Sequence, residues 1–91
     1  MIRGENMSDV IIDKSSIISS GISNWDHEYI VYADAEGVKV NTDFESIGGG
    51  KVKCCPLYER VLCKTVGEFR NLPIEVVKET AYQAWMDGAH S

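Results

Sequence analysis

A lysine that follows three glycines, at Gly48–Lys51, is the first arrangement here that could do chemistry, because such loops can bind phosphate. The nucleotide-binding motif is Gly-x-x-x-x-Gly-Lys followed by Ser or Thr, and it opens a helix whose N–H groups point at the phosphates. Here Glu45 occupies the position of the first glycine, and Val52 occupies that of the hydroxyl residue. The sequence therefore predicts a flexible turn between two strands at this point.

Three cysteines, Cys54, Cys55 and Cys63, could hold a metal or act as nucleophiles. Structural zinc needs four ligands, usually in pairs separated by two to four residues. Adjacent residues of a strand point to opposite faces, so Cys54 and Cys55 do not form such a pair. We therefore expect neither a metal nor a cofactor.

A reactive thiol at Cys55 is harder to exclude from the sequence. If Cys55 begins a helix with Lys53 nearby, the helix dipole and the positive charge both favour the thiolate. Free cysteines are more often buried as small apolar side chains. A thiol enzyme centred on Cys55 is thus the weakest of the alternatives.

The segment Asp26-His27-Glu28 suggests acid–base chemistry. In a strand, however, Asp26 and Glu28 share one face and His27 points to the other, so the three side chains do not converge. His27 alternates with Trp25 and Tyr29, a pattern typical of packing. We expect that the protein is not an enzyme.

Charge is distributed unevenly along the chain. The first fifty residues hold nine acids and three bases, the remainder holds five acids and six bases, and the net charge is −5. A net acidic protein is suited to a partner with a basic surface patch, and poorly suited to nucleic acid. Aromatic residues beside charges are typical of protein interfaces. The predicted partner-binding residues are Asp26, Glu28, Tyr32, Asp34, Glu36, Asp43 and Glu45. The alternative is that the C-terminal helix covers Ile30 and Tyr32, in which case the other face of the hairpin is exposed.

The basic segment 51–70 supports a competing hypothesis. Its cations could contact phosphates while Tyr58 stacks on a base. They are Lys51, Lys53, Arg60, Lys64 and Arg70. The net acidic charge of the whole chain argues against this nucleic-acid contact module.

These residues must be positioned by a small α+β domain. Alternation at period two from Trp25 to Ala33, the turn residues of Asp34–Gly37, and Val38 and Val40 predict a β-hairpin over about 25–42. A short strand is expected over 51–55. Apolar spacing and Pro56 slightly favour a second helix over 56–66, with a strand from Glu59 to Val66 as the competing interpretation. A C-terminal amphipathic helix over 72–87 packs on the sheet.

Length and composition complete the hypothesis. A chain of 91 residues forms one domain, and so small a core is compatible with a homodimer. The odd number of cysteines and the lack of any long apolar run predict a cytoplasmic protein without a membrane span. Codons for Arg3-Gly4-Glu5 can contain a ribosome-binding sequence, so we expect Met7 to be the start and residues 1–8 to be leader or disordered. The function expected is that of an inhibitor or adaptor of bacterial or phage origin.

Overall fold

A computed structural model describes residues 9–23 and 25–91. The expectations for residues 1–8, including the start at Met7, lie outside the described residues. Within these ranges two short 3₁₀ turns, Lys14–Ser16 and Pro56–Tyr58, interrupt the regular elements. The described strands and helices are β1 (Val10–Asp13), β2 (Ile17–Ile22), β3 (Glu28–Asp34), β4 (Gly37–Asn41), β5 (Phe44–Gly48), β6 (Lys51–Cys54), β7 (Glu59–Cys63), α1 (Val66–Arg70) and α2 (Ile74–Ala89).

The predicted hairpin is confirmed as β3 and β4, which pair in antiparallel register from Ile30 opposite Asn41 to Asp34 opposite Gly37. The turn closes because the Asp34 side chain accepts a hydrogen bond from the backbone N–H of Glu36 at 2.8 Å. Gly37 has φ +137°, and a Cβ there would lie 2.8 Å from the Cys63 carbonyl oxygen. Glycine is therefore required by both the turn and the neighbouring strand.

Two antiparallel sheets lie face to face. The inner sheet has the strand order β2-β3-β4-β7, and the outer sheet has the order β1-β6-β5. The strand expected at 51–55 is β6, the central strand of the outer sheet. The tight turn before it, Gly48–Gly50, has three positive φ angles of 90°, 64° and 74°, which glycine adopts without steric cost.

The C-terminal helix α2 covers the other face of the inner sheet. It begins after Pro73, whose fixed φ suits the first turn, and it runs two residues beyond the predicted end. No helix in the described ranges is both long and apolar enough to cross a membrane. The core between the helix and the sheet consists of Tyr29, Val31, Val38, Val40, Val77, Ala81 and Ala84.

A second core between the two sheets corrects one sequence prediction. Ile30 and Tyr32, on the opposite face of β3 from Tyr29, pack against Val52 and Cys54 of the outer sheet. Tyr32 is only 1% exposed, so the expectation that it contributes an exposed aromatic ring to a contact surface is wrong. The prediction assumed a hairpin with one solvated face, whereas β3 is covered on both.

The helix favoured over 56–66 is also wrong. Pro56–Tyr58 makes a single 3₁₀ turn, and β7 then pairs with β4, with Asn41 opposite Glu59. The competing interpretation, a strand from Glu59, is the correct one, although it ends at Cys63. The local apolar spacing fits a helix, but the free edge of β4 supplies a row of backbone partners that outweighs this local preference.

Candidate functional site

A surface cleft of about 420 Å³ brings together three of the predicted partner-binding carboxylates. It opens where the start of β3, the β4–β5 corner, the 3₁₀ turn before β7 and the end of α2 meet. Its volume falls within the range of small-molecule and side-chain sites. The residues that line this acidic cleft are Asp26, His27, Glu28, Thr42, Asp43, Phe44, Tyr58 and Trp85.

The loop before β3 places Asp26, His27 and Glu28 at the cleft. Ser23 organises this loop, because its Oγ accepts from the N–H groups of Trp25 and His27 and its own N–H donates to the His27 carbonyl at 2.8 Å. Asp26 has φ +61°, a left-handed conformation that aspartate tolerates better than most residues. The strand begins only at Glu28, so the assumption that it already includes residue 26 is wrong. Asp26, His27 and Glu28 all line the cleft.

The opposite wall is set by Asn41, which is fully buried at the end of β4. Its Nδ2 donates to the Cys55 carbonyl at 2.9 Å, and its Oδ1 accepts from the Asp43 N–H at 2.8 Å. The Thr42 N–H donates to the Tyr58 carbonyl at 3.0 Å. The side-chain amide therefore fixes the corner that carries Asp43 and Phe44, because both of its polar ends are used.

Aromatic rings, including Trp85 of α2, line the helix side of the cleft. The His27 imidazole stacks on Trp85, with ring centroids 4.2 Å apart and planes inclined by 17°. Trp25 stacks on Tyr82 one turn earlier, at 5.4 Å. The expectation that His27 packs on an apolar surface is thus correct. Its Nδ1 atom nevertheless is buried without a hydrogen-bond partner among the described residues.

Tyr58 lies against the helix at Gly88. A Cβ at position 88 would be 2.3 Å from Cδ2 of the Tyr58 ring and 2.4 Å from Cγ, so only glycine leaves room for the ring. Phe44, Tyr58 and Trp85 were not predicted as parts of one site with the carboxylates. In the sequence, only their aromatic character could have suggested that these residues belong to a binding site. They come together through the tertiary structure, which no local pattern predicts.

The three cleft carboxylates differ from most others in the molecule. Within the described ranges, Asp26, Glu28 and Asp43 have no ion pair and their carboxylate oxygens accept no hydrogen bond. Elsewhere in those ranges the carboxylates of most acids are paired with cations or accept hydrogen bonds, as Asp87 does from Arg60 at 2.6 Å. Three like charges around one cleft produce a negative potential that a bound cation would relieve.

These carboxylates are spread around the cleft. No group of three or more histidine, cysteine, aspartate or glutamate side chains in residues 9–23 and 25–91 is arranged to hold a metal ion. A divalent metal needs its oxygen or nitrogen ligands within about 2.0–2.6 Å. The arrangement is suited to a larger cation that contacts several walls of the cleft.

The two carboxylates of the hairpin tip, Asp34 and Glu36, share one cation, Lys39, with Glu59. Lys39, which is 8% exposed, places its Nζ 3.0 Å from Asp34 Oδ2, 2.6 Å from Glu36 Oε1 and 3.6 Å from Glu59 Oε2. The Tyr32 hydroxyl donates a hydrogen bond to Glu59. These five side chains form a continuous network, which we call the Lys39 network.

The pKa values in the Lys39 network follow from these contacts. Burial and the hydrogen bond to Glu59 raise the pKa of Tyr32 well above its usual value. Desolvation opposes the charged form of Lys39, but its hydrogen bonds to Glu36 and Asp34 outweigh this and raise its pKa. Desolvation likewise opposes ionisation of Asp34, yet the hydrogen bonds from Lys39 and from the Glu36 N–H lower its pKa overall. The folded structure therefore favours the charged forms of Lys39 and Asp34 and the neutral form of Tyr32.

Glu45, the last predicted site residue, lies in a smaller adjoining cleft of about 180 Å³. Lys53 lies there between Glu45 Oε2 at 3.5 Å and Asp9 Oδ2 at 3.8 Å. Cys55 and Asp43 also line it. Glu45 is thus close to the acidic cleft but has its own cation.

The other two cysteines are not placed for joint chemistry with Cys55. Cys54 is fully buried between the sheets, and burial together with the charges of Glu59 and Asp43 raises its pKa to about 11. Cys63, on β7, donates to the Thr65 carbonyl at 3.3 Å, and burial raises its pKa as well. His27 lines the acidic cleft, while Cys55 lines the adjoining one.

The basic segment does not form one continuous surface of available cations. Lys51 pairs with Asp13, Lys53 with Asp9 and Glu45, and Arg60 with Asp87. Lys51 and Lys53 belong to the outer sheet, whereas Arg60 lies on β7 beside α2. At least three of the five predicted phosphate contacts are therefore neutralised by neighbouring acids.

Comparison with known proteins found no match for this chain among family models, curated proteins or solved structures.

Proposed function

We propose that this chain is a non-enzymatic interaction protein that binds a partner protein by taking a basic side chain of the partner into the acidic cleft. The role is that of an inhibitor or adaptor in the cytoplasm of a bacterium or of a phage-infected cell. The observation that carries the proposal is the presence of three carboxylates without internal cations around one cleft. A basic side chain of the partner would supply the missing positive charge.

The aromatic lining favours an organic cation. Ammonium and guanidinium groups are attracted to the faces of aromatic rings, and the attraction is largest where water is excluded. Phe44, Tyr58 and Trp85 border the cleft beside the carboxylates. A guanidinium group can bond a carboxylate with two parallel N–H groups and stack its plane on a ring at the same time. We therefore expect arginine to be preferred to lysine.

The surrounding charge supports the same type of partner. Asp34, Glu36 and Glu45 are exposed but already share cations, so they contribute to long-range attraction more than to direct bonding. The acidic net charge of −5 speeds encounter with a basic surface. The alternatives have less support. Three of the five cations of the nucleic-acid hypothesis are paired with acids. The cleft that Cys55 lines contains no histidine.

The test uses a blocked peptide that contains one arginine, flanked by glycines, as the probe. Matched peptides contain lysine or citrulline, which has the shape of arginine without its charge. Binding is followed by NMR amide shifts in 15N-labelled protein. We expect shifts concentrated at residues 26–28, 42–44, 58 and 85, with arginine stronger than lysine and citrulline without effect. Shifts spread over the whole acidic surface, or equal for citrulline, would contradict the proposal.

A matched pair of variants separates the cleft from net charge. The cleft variant carries Asp26→Asn, Glu28→Gln and Asp43→Asn, and asparagine also tolerates the positive φ at position 26. The control variant carries Asp13→Asn, Glu75→Gln and Glu79→Gln, which remove the same charge from exposed positions elsewhere. We expect the cleft variant to lose at least about tenfold in peptide affinity, since a charge-assisted hydrogen bond contributes about 1.5–3 kcal/mol, and the control to lose less than about threefold. Equal losses would show that only net charge matters.

A further inference from the structure

The four sheet edges of the described chain differ in how they are protected. Edge strands expose unpaired N–H and C=O groups, and proteins usually protect them with charges, proline, bulges or short length. β7 carries Glu59 and Arg60, β5 carries Glu45, and β1 ends at Asp13. β2, Ile17–Ile22, has six residues, none of them charged or proline, and its one bulge, at Ile18, lies near its N-terminal end.

The free edge of β2 is also regular over most of its length. Its pairing with β3 has one register shift, between Ile17 and Ser19, and runs without interruption from Ser19 to Ile22. In residues 9–23 and 25–91, only β3 pairs with β2. Ile18 and Ile22 are 37% and 54% exposed, and Ser20 between them is exposed as well.

The order of these side chains is self-complementary. If two copies of β2 pair in antiparallel orientation about a two-fold axis at Ser20, Ser19 lies opposite Gly21 within the regular part of the strand. Ile18, at the bulge, lies beside Ile22 of the second copy. Ser20 then lies opposite its own counterpart, so the small side chain occupies the axis. The same pairs arise whether the two Ser20 residues form a hydrogen-bonded pair or the alternate pair of an antiparallel ladder. Apolar cross-strand pairs of this kind stabilise a sheet.

We infer that this chain forms a symmetric homodimer through antiparallel pairing of β2 with β2 of a second copy, centred on Ser20. The two inner sheets then form one continuous sheet of eight strands. Such a contact is isologous and closes on itself, so it produces a dimer and not a filament. The inference is independent of the acidic cleft and of its proposed partner.

Repulsion between two copies of the chain opposes self-association less at the β2 edge than at the other sheet edges, because β2 contains no charged residue. Two copies of a protein with a net charge of −5 repel one another, so self-association is easiest where the contact segment contains no acid. Added salt screens this repulsion. We therefore expect the dimer to tighten as the salt concentration rises, unlike a dimer held by ion pairs.

Sedimentation equilibrium from about 1 μM to about 1 mM tests the inference. We expect the mass to rise from 10.1 kDa to twice that value. Ser20→Lys places two ammonium groups opposite each other, and we expect the dissociation constant to rise at least about tenfold. The matched control is Val61→Lys on β7, the other edge of the same sheet, where the side chain is 59% exposed. We expect this control to dimerise like the unmodified protein.

A cross-link tests the register. Directly opposed Cα atoms in an antiparallel pair are about 4.5–5.5 Å apart, which suits a disulfide. We expect Ser20→Cys to form a disulfide dimer through position 20 on mild oxidation, as peptide mapping would show, and Val61→Cys not to do so. If Ser20→Lys fails to fold by circular dichroism, Ile22→Lys is the second variant, with the same expected loss. A protein that stays monomeric up to about 1 mM, a dimer unaffected by these lysines, or equal cross-linking at position 61 would overturn the inference.

Discussion

Replacing Lys39 by methionine tests whether the Lys39 network stabilises the fold. Methionine keeps the apolar stem of the side chain, which is buried in the inner sheet, and removes the ammonium group. The substitution leaves Glu59, whose side chain is 17% exposed, without a cation. Asp34 and Glu36 lose the same partner, but their side chains are 36% and 77% exposed and water can solvate them.

The expected magnitude follows from these exposures. Breaking a fully buried ion pair costs about 3–5 kcal/mol because a charge is left without compensation. Exposed pairs contribute only about 0–1 kcal/mol each. The pair with Glu59 resembles a buried ion pair, whereas the pairs with Asp34 and Glu36 resemble exposed ones. We therefore expect Lys39→Met to reduce the free energy of unfolding by about 2–3 kcal/mol, which for a domain of this size lowers Tm by roughly 10–20 °C.

Urea unfolding at pH 7, followed by the fluorescence of Trp25 and Trp85, measures the effect. The matched control is Lys51→Met, because Lys51 pairs with Asp13 on the outer sheet while both side chains are at least half exposed. We expect the control to change the free energy of unfolding by less than about 0.5 kcal/mol. Adding Glu59→Gln to Lys39→Met removes the uncompensated charge, so the double variant should recover at least about half of the loss.

The difference between the unmodified protein and Lys39→Met should also depend on pH. The pKa of Asp34 is lowered in the folded protein, so its stabilising contribution is present above its unfolded value of 3.8 and is lost as the pH falls through the folded value. The stability difference between the two proteins should therefore shrink as the pH falls below about 4. A Lys39→Met protein as stable as the Lys51→Met control, or no recovery on adding Glu59→Gln, would refute this account.

Three further outcomes are expected. Gly88→Ala should reduce the free energy of unfolding by about 1–3 kcal/mol, because its Cβ would lie 2.3 Å from the Tyr58 ring, and Tyr58→Ala in the same chain should recover part of the loss in a double-mutant cycle. Asn41→Ala should cost about 2–4 kcal/mol in urea unfolding, because it leaves the Cys55 carbonyl and the Asp43 N–H without partners; a loss below about 1 kcal/mol would contradict the role of Asn41. Iodoacetamide at pH 8.5 should label Cys55 and Cys63 well before Cys54, which is fully buried and has a pKa of about 11; mass spectrometry showing equal rates would contradict this burial.

The elements that the sequence predicts correctly are those whose evidence is local. The β3–β4 hairpin has period-two alternation and a turn that requires Gly37, and α2 has an apolar stripe beginning after Pro73. The α+β class follows from these two elements. β5 was missed because the segment 43–50 has no apolar alternation and forms a strand only beside β6. β1 pairs with β6 across about forty residues, which no local pattern encodes.

The burial of Tyr32 shows how period-two alternation can lead to a wrong prediction of exposure. Alternation assigns one face of β3 to solvent, but residues 29–33 read Tyr-Ile-Val-Tyr-Ala, a continuous apolar run. Such runs are typical of strands covered on both faces, and this signal could have corrected the prediction. The acidic cleft had no comparable signal, because Asp26 and Asp43 line the same cleft only through a turn with positive φ and a corner fixed by Asn41.

The order of the hairpin and α2 along the chain has a consequence for synthesis on the ribosome. The β3–β4 hairpin is translated before the residues that cover its helix-facing side, Val77, Ala81 and Ala84. Until then the nascent hairpin presents an apolar face and unpaired strand edges, the features that recruit chaperones or cause aggregation. Folding of this domain is therefore coupled to completion of α2, and a ribosome stalled before residue 77 would hold a chain that cannot close its core.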